Sequence, residues 1–150
     1  MEDDYVNFDI RFIRPDFEMQ GLVVEEPRPA VMGRITIGSF MEDFYSPLDV
    51  WHCSRYEEQW QDALQRLRDG LNSCFVVGVH PVEIAQFIEC YLVWRLECEF
   101  RVQNQFMFFD VVGPVDPTYP YDAIWPYTNQ TEDGERIYDD WGLPLDTFSE

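Results

Sequence analysis

Lysine is absent from this 150-residue chain; all ten basic side chains are arginine. Against them stand 29 aspartates and glutamates, giving a formal net charge of −19 and a pI near 4.1. Proteins that grip nucleic acid neutralise phosphates with lysine and arginine, so DNA and RNA are excluded as partners. An anionic membrane surface is excluded on the same grounds. The natural complement is a basic protein. Histidine is scarce as well, with only His52 and His80. The four cysteines, Cys53, Cys74, Cys90 and Cys98, show no CxxC pair and no zinc spacing. They read as free thiols of a reducing, cytoplasmic setting. The opening MEDDYVNF carries acids where a signal peptide carries basic residues. No apolar run approaches the roughly 20 residues needed to span a bilayer. The sequon-like Asn129-Gln130-Thr131 is then coincidental.

Catalytic patterns are missing too. His52 and Cys53 adjoin in DVWHCS, but neighbours in sequence seldom present base to nucleophile, and no G-x-S-x-G elbow accompanies them. Carboxylate pairs such as Glu42-Asp43, Glu57-Glu58 and Asp139-Asp140 recur too often to single one out for acid–base work. TEDG lacks the spacing of a calcium loop, and the glycines of MGRITIGSF do not form a phosphate cradle. No catalytic residue, metal site or cofactor is expected.

What the chain does have is core material. Hydrophobic residues make up 46% and aromatics 17%. Disordered chains combine high charge with few aromatics, so a folded unit is expected, one domain over residues 1–150. YVNFDIRFI (5–13) alternates as a strand with Val6, Phe8, Ile10 and Phe12 inward. Residues 14–33 hold Pro15, Pro27 and Pro29 and read mostly as loop, and RITIGSF (34–40) reads as a short strand. In SRYEEQWQDALQRLRDG the spacing predicts a helix over about 55–69. Ser54 and Glu57 suggest a capping box, and Gly70 a left-handed C-cap. Tyr56, Trp60, Ala63, Leu64, Leu67 and Leu71 form its apolar stripe. SCFVVGV reads as a central strand, and residues 87–112 as two long strands joined near Leu96–Glu97. In the second, Cys98, Phe100, Val102, Phe106 and Phe108 share one face. Trp51, Trp60 and Trp94 belong to the core, and the amides of QNQ (103–105) to strand hydrogen bonding. GERIYDDW is a candidate short helix. The expected fold is α+β, a largely antiparallel sheet with the one main amphipathic helix packed on a face.

YPYDAIWPYTNQTEDGERIYDDWG (119–142) follows neither helical nor strand periodicity. Tyr119, Tyr121, Trp125, Tyr127, Tyr138 and Trp141 alternate with Asp122, Glu132, Asp133, Glu135, Asp139 and Asp140. From Asp116 to Glu150 nine acids face Arg136 alone. Tyrosine and tryptophan anchor interfaces because each buries a large rigid area with one polar handle, and surrounding carboxylates steer a basic partner. The candidate partner-binding residues are therefore Asp122, Trp125, Tyr127, Glu132, Asp133, Glu135, Tyr138, Asp139, Asp140 and Trp141. Equally open is that the rings fold back over the sheet while the acids face water.

Taken in order, ITIGSFMEDFYSPLDVW, QWQDALQRLRDG, SCFVVGV, VQNQFMFF and NQTEDGERIYDDW resemble the cytosolic immunity proteins of bacterial contact-dependent growth inhibition systems. The resemblance spans residues 35–141 and holds no catalytic motif. It implies a non-enzymatic protein that binds and neutralises the C-terminal domain of a cognate toxin, often a nuclease. No binding residue carries over from it by position. Two alternatives stay open: an acidic DNA mimic that occupies a DNA-binding protein, and a small hydrolase using Cys74 or Cys53.

Overall fold

The computed structural model describes residues 8–13, 17–20 and 27–149. Two four-stranded antiparallel sheets and one main helix make up an α+β fold, as the sequence leads one to expect. The first sheet holds β1 (Phe8–Phe12), β2 (Phe17–Gln20), β3 (Pro27–Ile37) and β4 (Phe40–Pro47). β3 is its spine: β1 pairs with residues 33–37, β2 with 27–30, and β4 with 30–37. After helix α1 (Cys53–Arg68), the second sheet runs in chain order through β5 (Ser73–Val79), β6 (Phe87–Arg95), β7 (Phe100–Phe108) and β8 (Asp140–Leu143). A short helix α2 (Phe109–Val112) and a 3-10 turn (Pro120–Ala123) lie between the last two strands.

Two sequence expectations for the first sheet are corrected. The strand expected at 34–40 is the end of a longer one that begins at Pro27, and the chain turns at Gly38 (φ 63°) before β4. Pro27 and Pro29 fit inside β3 because the Pro29 carbonyl faces away from β2, accepting from the Leu48 amide at 3.0 Å, and the prolines' nitrogens face that side too, so the β2 ladder needs no amide from them. The rest of the expected loop, residues 14–16 and 21–26, lies outside the described residues, as do Tyr5, Val6 and Asn7.

The sheets meet through aromatic side chains. Phe8 lies 5.0 Å from Phe75, Phe44 6.3 Å from Tyr91, and Phe40 stacks on Trp141 at 4.4 Å, measured between ring centroids. Trp51, Trp60 and Trp94 are all buried, as expected. On β7 Phe100, Val102, Phe106 and Phe108 share one face, as expected, but that face is covered along only part of its length. Phe100 and Val102 are buried, but Phe106 and Phe108 on the same face stand 41% and 46% exposed. Gln103, on the opposite face, is fully buried. Cys98 precedes the strand and is exposed.

Helix α1 buries Tyr56, Trp60, Ala63 and Leu67, with Leu64 partly covered. Its stripe reaches the first sheet, where Trp60 packs on Phe12 at 4.8 Å and Phe44 at 5.9 Å. Gly70 (φ 81°) ends it: the Gly70 amide donates to the Leu67 carbonyl and the Leu71 amide to the Arg66 carbonyl, a Schellman closure. That turn carries Leu71 off the helical path, so it is exposed rather than the last member of the stripe. The capping box is also corrected. The N-cap is His52, without a side-chain cap bond, and the Arg55 amide already donates to the His52 carbonyl. Ser54 therefore falls inside the first turn, where its hydroxyl cannot cap.

β5 is buried along its whole length, like a central strand, yet it pairs with β6 only. Side chains complete its other edge. Gln59 donates to the Cys74 carbonyl at 2.9 Å and accepts from the Val76 amide at 2.8 Å, as a neighbouring backbone would. The Trp60 indole donates to the Val76 carbonyl at 2.8 Å. A bulge between Val76 and Gly78 reverses which groups face outward. Beyond it Ser46 donates to the Val77 carbonyl, and the Val79 amide donates to the Tyr56 hydroxyl. Tyr56 in turn donates to the Pro47 carbonyl at 2.7 Å.

Trp60→Ala is expected to lower unfolding free energy by about 3–5 kcal/mol, through lost burial and a cavity. Gln59→Met is expected to cost at least about 2 kcal/mol, because a buried carbonyl and a buried amide lose their partners. Gln61→Met on the exposed face should stay within about 0.5 kcal/mol. Chemical denaturation of the three variants checks this, and equal costs at Gln59 and Gln61 would remove the edge-bonding role of Gln59.

Candidate partner-binding site

The acidic C-terminal segment is bound down by side chains of the second sheet. Gln103 of β7 donates to the Thr128 carbonyl at 2.8 Å and to Asp140 Oδ2 at 2.7 Å. Arg101 donates to Asp140 Oδ1 at 2.7 Å through Nε, and again through a terminal nitrogen. The Tyr127 hydroxyl donates to Asp140 Oδ2 at 2.8 Å, while its ring packs on Trp94 at 5.3 Å. The Trp94 indole donates to the Trp125 carbonyl at 2.6 Å. Nearer the helix, Tyr121 donates to Asp62 at 2.8 Å and accepts from Gln59 at 3.1 Å, with the Arg66 guanidinium 4.2 Å over its ring. Burial, then the Asp62 carboxylate, pushes the Tyr121 hydroxyl pKa upward. The QNQ amides do form strand hydrogen bonds, and those of Gln103 hold the segment in place.

This framework divides the candidate residues into two groups. Trp125, Tyr127, Asp140 and Trp141 are partly buried and engaged inside the protein, and the Asp140 side chain is only 3% exposed. Asp122, Glu132, Asp133, Glu135, Tyr138 and Asp139 are exposed, with Tyr138 at 82%. GERIYDDW is not a helix. Gln130 bridges Arg136, the Thr131 amide donates to the Glu135 carbonyl at 2.7 Å, and Gly134 takes φ 86°, closing a tight hairpin. Asp140 then begins β8. The glycine and the paired ends defeat helical spacing there.

At the hairpin tip stand Glu132, Asp133 and Glu135. Among the described residues, no arginine forms an ion pair with them, nor with Asp122 or Asp139. Elsewhere four arginines pair with the chain's own acids: Arg11–Asp9 at 2.9 Å, Arg34–Asp43 at 2.7 Å, Arg55–Glu58 at 3.1 Å, and the Arg28–Asp49 pair. Arg136, within the hairpin, lies 5.8 Å from the Tyr138 ring centroid. With three carboxylates against this one arginine, the hairpin is a net anionic projection with an aromatic residue at its base.

A second surface lies on β6 and β7, where Phe106 and Phe108 share the face of buried Phe100 and Val102 but stand exposed. Phe87 of β6 packs edge-on against Phe106 at 5.0 Å and Phe108 at 5.5 Å. Next along the same face comes Glu89, opposite Phe106, then Tyr91, opposite Asn104. Tyr91 donates to Glu42 of β4, and Asn104 donates to Glu89 at 3.5 Å. Burial, and the neighbouring Glu42, push the Glu89 carboxyl up from its ordinary value. The signal that could have revealed this face is the break in composition at Asn104, where a polar residue interrupts the apolar alternation.

The candidate nucleophiles stay apart from both surfaces. His52 is exposed at the helix N-cap, beside the partly buried Cys53. Cys74 and Cys90 are buried neighbours, and their mutual hydrogen bond together with burial pushes the Cys90 thiol upward. Among the described residues no cluster of three His, Cys, Asp or Glu is arranged to hold a metal ion. No helix there is long and apolar enough to cross a membrane.

Asp140→Asn is expected to destabilise the fold by about 3 kcal/mol, since it removes the charge opposite Arg101 and sets an amide donor against Arg101 or against Gln103 and Tyr127. Asp139→Asn, one residue away and exposed, should change stability by less than about 0.5 kcal/mol. Glu89 titrates with the opposite sign to a stabilising carboxylate. Its folded pKa lies above the ordinary 4.5, so the stability it contributes is complete below that value and lost as pH rises through the raised one. Glu89→Gln should therefore be more stable than wild type at neutral pH, with the gap closing as the solution is acidified. Urea unfolding across that range decides it, and a wild type more stable at neutral pH would refute the assignment.

The profile of the CdiI N-terminal domain family matches residues 46–149 of this chain. In three dimensions the chain is similar to a chain of the CdiA-CT/CdiI toxin and immunity complex from Enterobacter cloacae, with a TM-score of 0.78. That likeness covers 94% of this chain and 92% of the other at 22% identity, which speaks for a common fold. No curated protein matches the sequence significantly. The matched region runs from the end of β4 through the helix, the second sheet and the acidic segment, and the chain belongs to the CdiI N-terminal domain family, the immunity proteins of contact-dependent growth inhibition.

Proposed function

We propose that this chain works in the cytosol as a stoichiometric inhibitor without turnover, binding the C-terminal domain of a cognate toxin, a basic nuclease. The observation that carries the reading is the hairpin at 129–137, whose three carboxylates pair with no arginine among the described residues. A nuclease cleft is shaped and charged for phosphates, and projecting carboxylates complement it. Glu132, Asp133, Glu135 and Asp139 steer the partner, Asp122 adds an exposed carboxylate from the 3-10 turn, and Tyr138 supplies an exposed aromatic contact. Asp140, Tyr127, Trp125 and Trp141 act as the frame that presents this surface. The hairpin gathers its acids on one turn, which favours a compact contact over the extended row that a DNA mimic needs.

The test uses the cognate toxin domain. The wild-type chain is expected to bind it and to protect cells producing it. Exposed charges are screened beyond about 8 Å at physiological ionic strength, so raising salt should slow association by about tenfold or more. The combined variant Glu132→Gln, Asp133→Asn, Glu135→Gln and Asp139→Asn should reproduce that slowing at low salt, with stability unchanged. His52→Ala and Cys53→Ser should leave protection within a few-fold. A folded single variant of either that loses more than about a hundredfold, or about 2.7 kcal/mol, would restore an enzymatic reading. Association indifferent to salt and to the four neutralisations would overturn the steering role.

A further inference from the structure

The strip formed by Phe87, Phe106 and Phe108 is an uncovered end of a sheet face whose other end is core. On that face Phe100, Val102 and Tyr91 are buried, whereas Phe106 and Phe108 are about half exposed. Three phenyl rings in mutual contact at the surface of a strongly charged protein mark an interaction site more often than an accident of packing. At the margin of the strip, Glu89 and Glu42 lie close enough to influence one another, and among the described residues neither has an arginine partner. We infer that the strip is a docking face for the toxin domain proposed above, receiving an arginine or lysine of that basic protein between the phenyl rings and the Glu89 carboxylate.

Three features favour this occupant. Ring faces attract cations, and a carboxylate beside them adds a charge-assisted hydrogen bond, so the pairing selects a guanidinium or ammonium on an apolar surround. A second copy of this chain would instead bring Glu89 and Glu42 against their own likenesses, and a net charge of −19 against itself. The strip is also next to the acidic segment: Trp141 pairs with Val102 on this face, and burial first, then Glu42, Glu89 and Asp139, raise the Tyr91 hydroxyl pKa. One partner can therefore touch both surfaces, with the hairpin governing encounter and the strip governing residence.

The inference rests on the immunity reading, and one set of measurements separates the two. Binding of the cognate toxin domain to the full chain is followed by surface plasmon resonance for wild type, Phe106→Ser/Phe108→Ser and Glu89→Gln. The serine variant is expected to dissociate at least about tenfold faster, with association changed less than about threefold, the reverse of the hairpin variant. Glu89→Gln, expected to be at least as stable as wild type, should dissociate several-fold faster and serves if the serine variant fails to fold. Wild type that binds, with a Glu89→Gln variant and a folded serine variant that dissociate at the wild-type rate, overturns the docking face and leaves the immunity reading intact. Wild type that fails to bind the domain overturns both. Sedimentation of the free proteins adds one outcome: a wild-type dimer made monomeric by the serine substitutions would make a second copy the occupant and overturn the inference.

Discussion

The open edge of β5 is the constraint on which the architecture rests. A strand paired on one side and buried on both faces leaves carbonyls and amides with no water to satisfy them, at a cost of about 1–3 kcal/mol each. Here the edge is completed by Gln59, Trp60 and Tyr56 of the helix and Ser46 of β4. The same side chains fix where the helix lies. Gln59 can span Cys74 and Val76 only in one register, and Trp60 at that register meets Phe12 and Phe44 of the other sheet. Edge, helix and the joint between the sheets are thereby one problem with one solution.

Gln59 also links this joint to the opposite side of the molecule. Its amide donates to Tyr121, which begins the aromatic cover on the second sheet, and the cover ends at the Arg101–Asp140–Gln103–Tyr127 cluster. Between these two anchorages the chain has few regular backbone partners, and the hairpin at 129–137 projects. The anionic projection is therefore held by neutral and paired groups beneath it rather than by countercharges beside it. That arrangement keeps the outward carboxylates available to something else. Asp139 and Asp140 show the division at its sharpest: adjacent, identical in chemistry, one in solvent and one almost wholly enclosed against Arg101.

Charge explains why the two surfaces belong together. Most arginines of the described chain are matched to its own acids, so the excess negative charge is concentrated where no arginine pairs with it. One such place, the hairpin, is solvated and acts at a distance. Another, Glu89 beside the phenylalanine strip, is desolvated and acts only on contact. Burial makes an unpaired charge there unfavourable until a cation arrives.

Features that depend on near neighbours are legible in the sequence. The helix follows from the 3.6-residue recurrence of Tyr56, Trp60, Ala63 and Leu67, and its end from Gly70, because both are local backbone and side-chain preferences. The β6–β7 hairpin, the three core tryptophans and the anionic character of the C-terminal segment were legible for the same reason. Which members of repeated patterns face inward depends instead on what packs against them from afar. Phe106 and Phe108 continue the alternation of Phe100 and Val102, but sheet one ends before reaching them, and alternation cannot report how far a covering layer extends. Asp140 is indistinguishable from Asp139 until Arg101 and Gln103 arrive from a strand some forty residues away. Gln59 reads as one more polar residue of an amphipathic helix, and its role exists only because β5 leaves its edge open beside it.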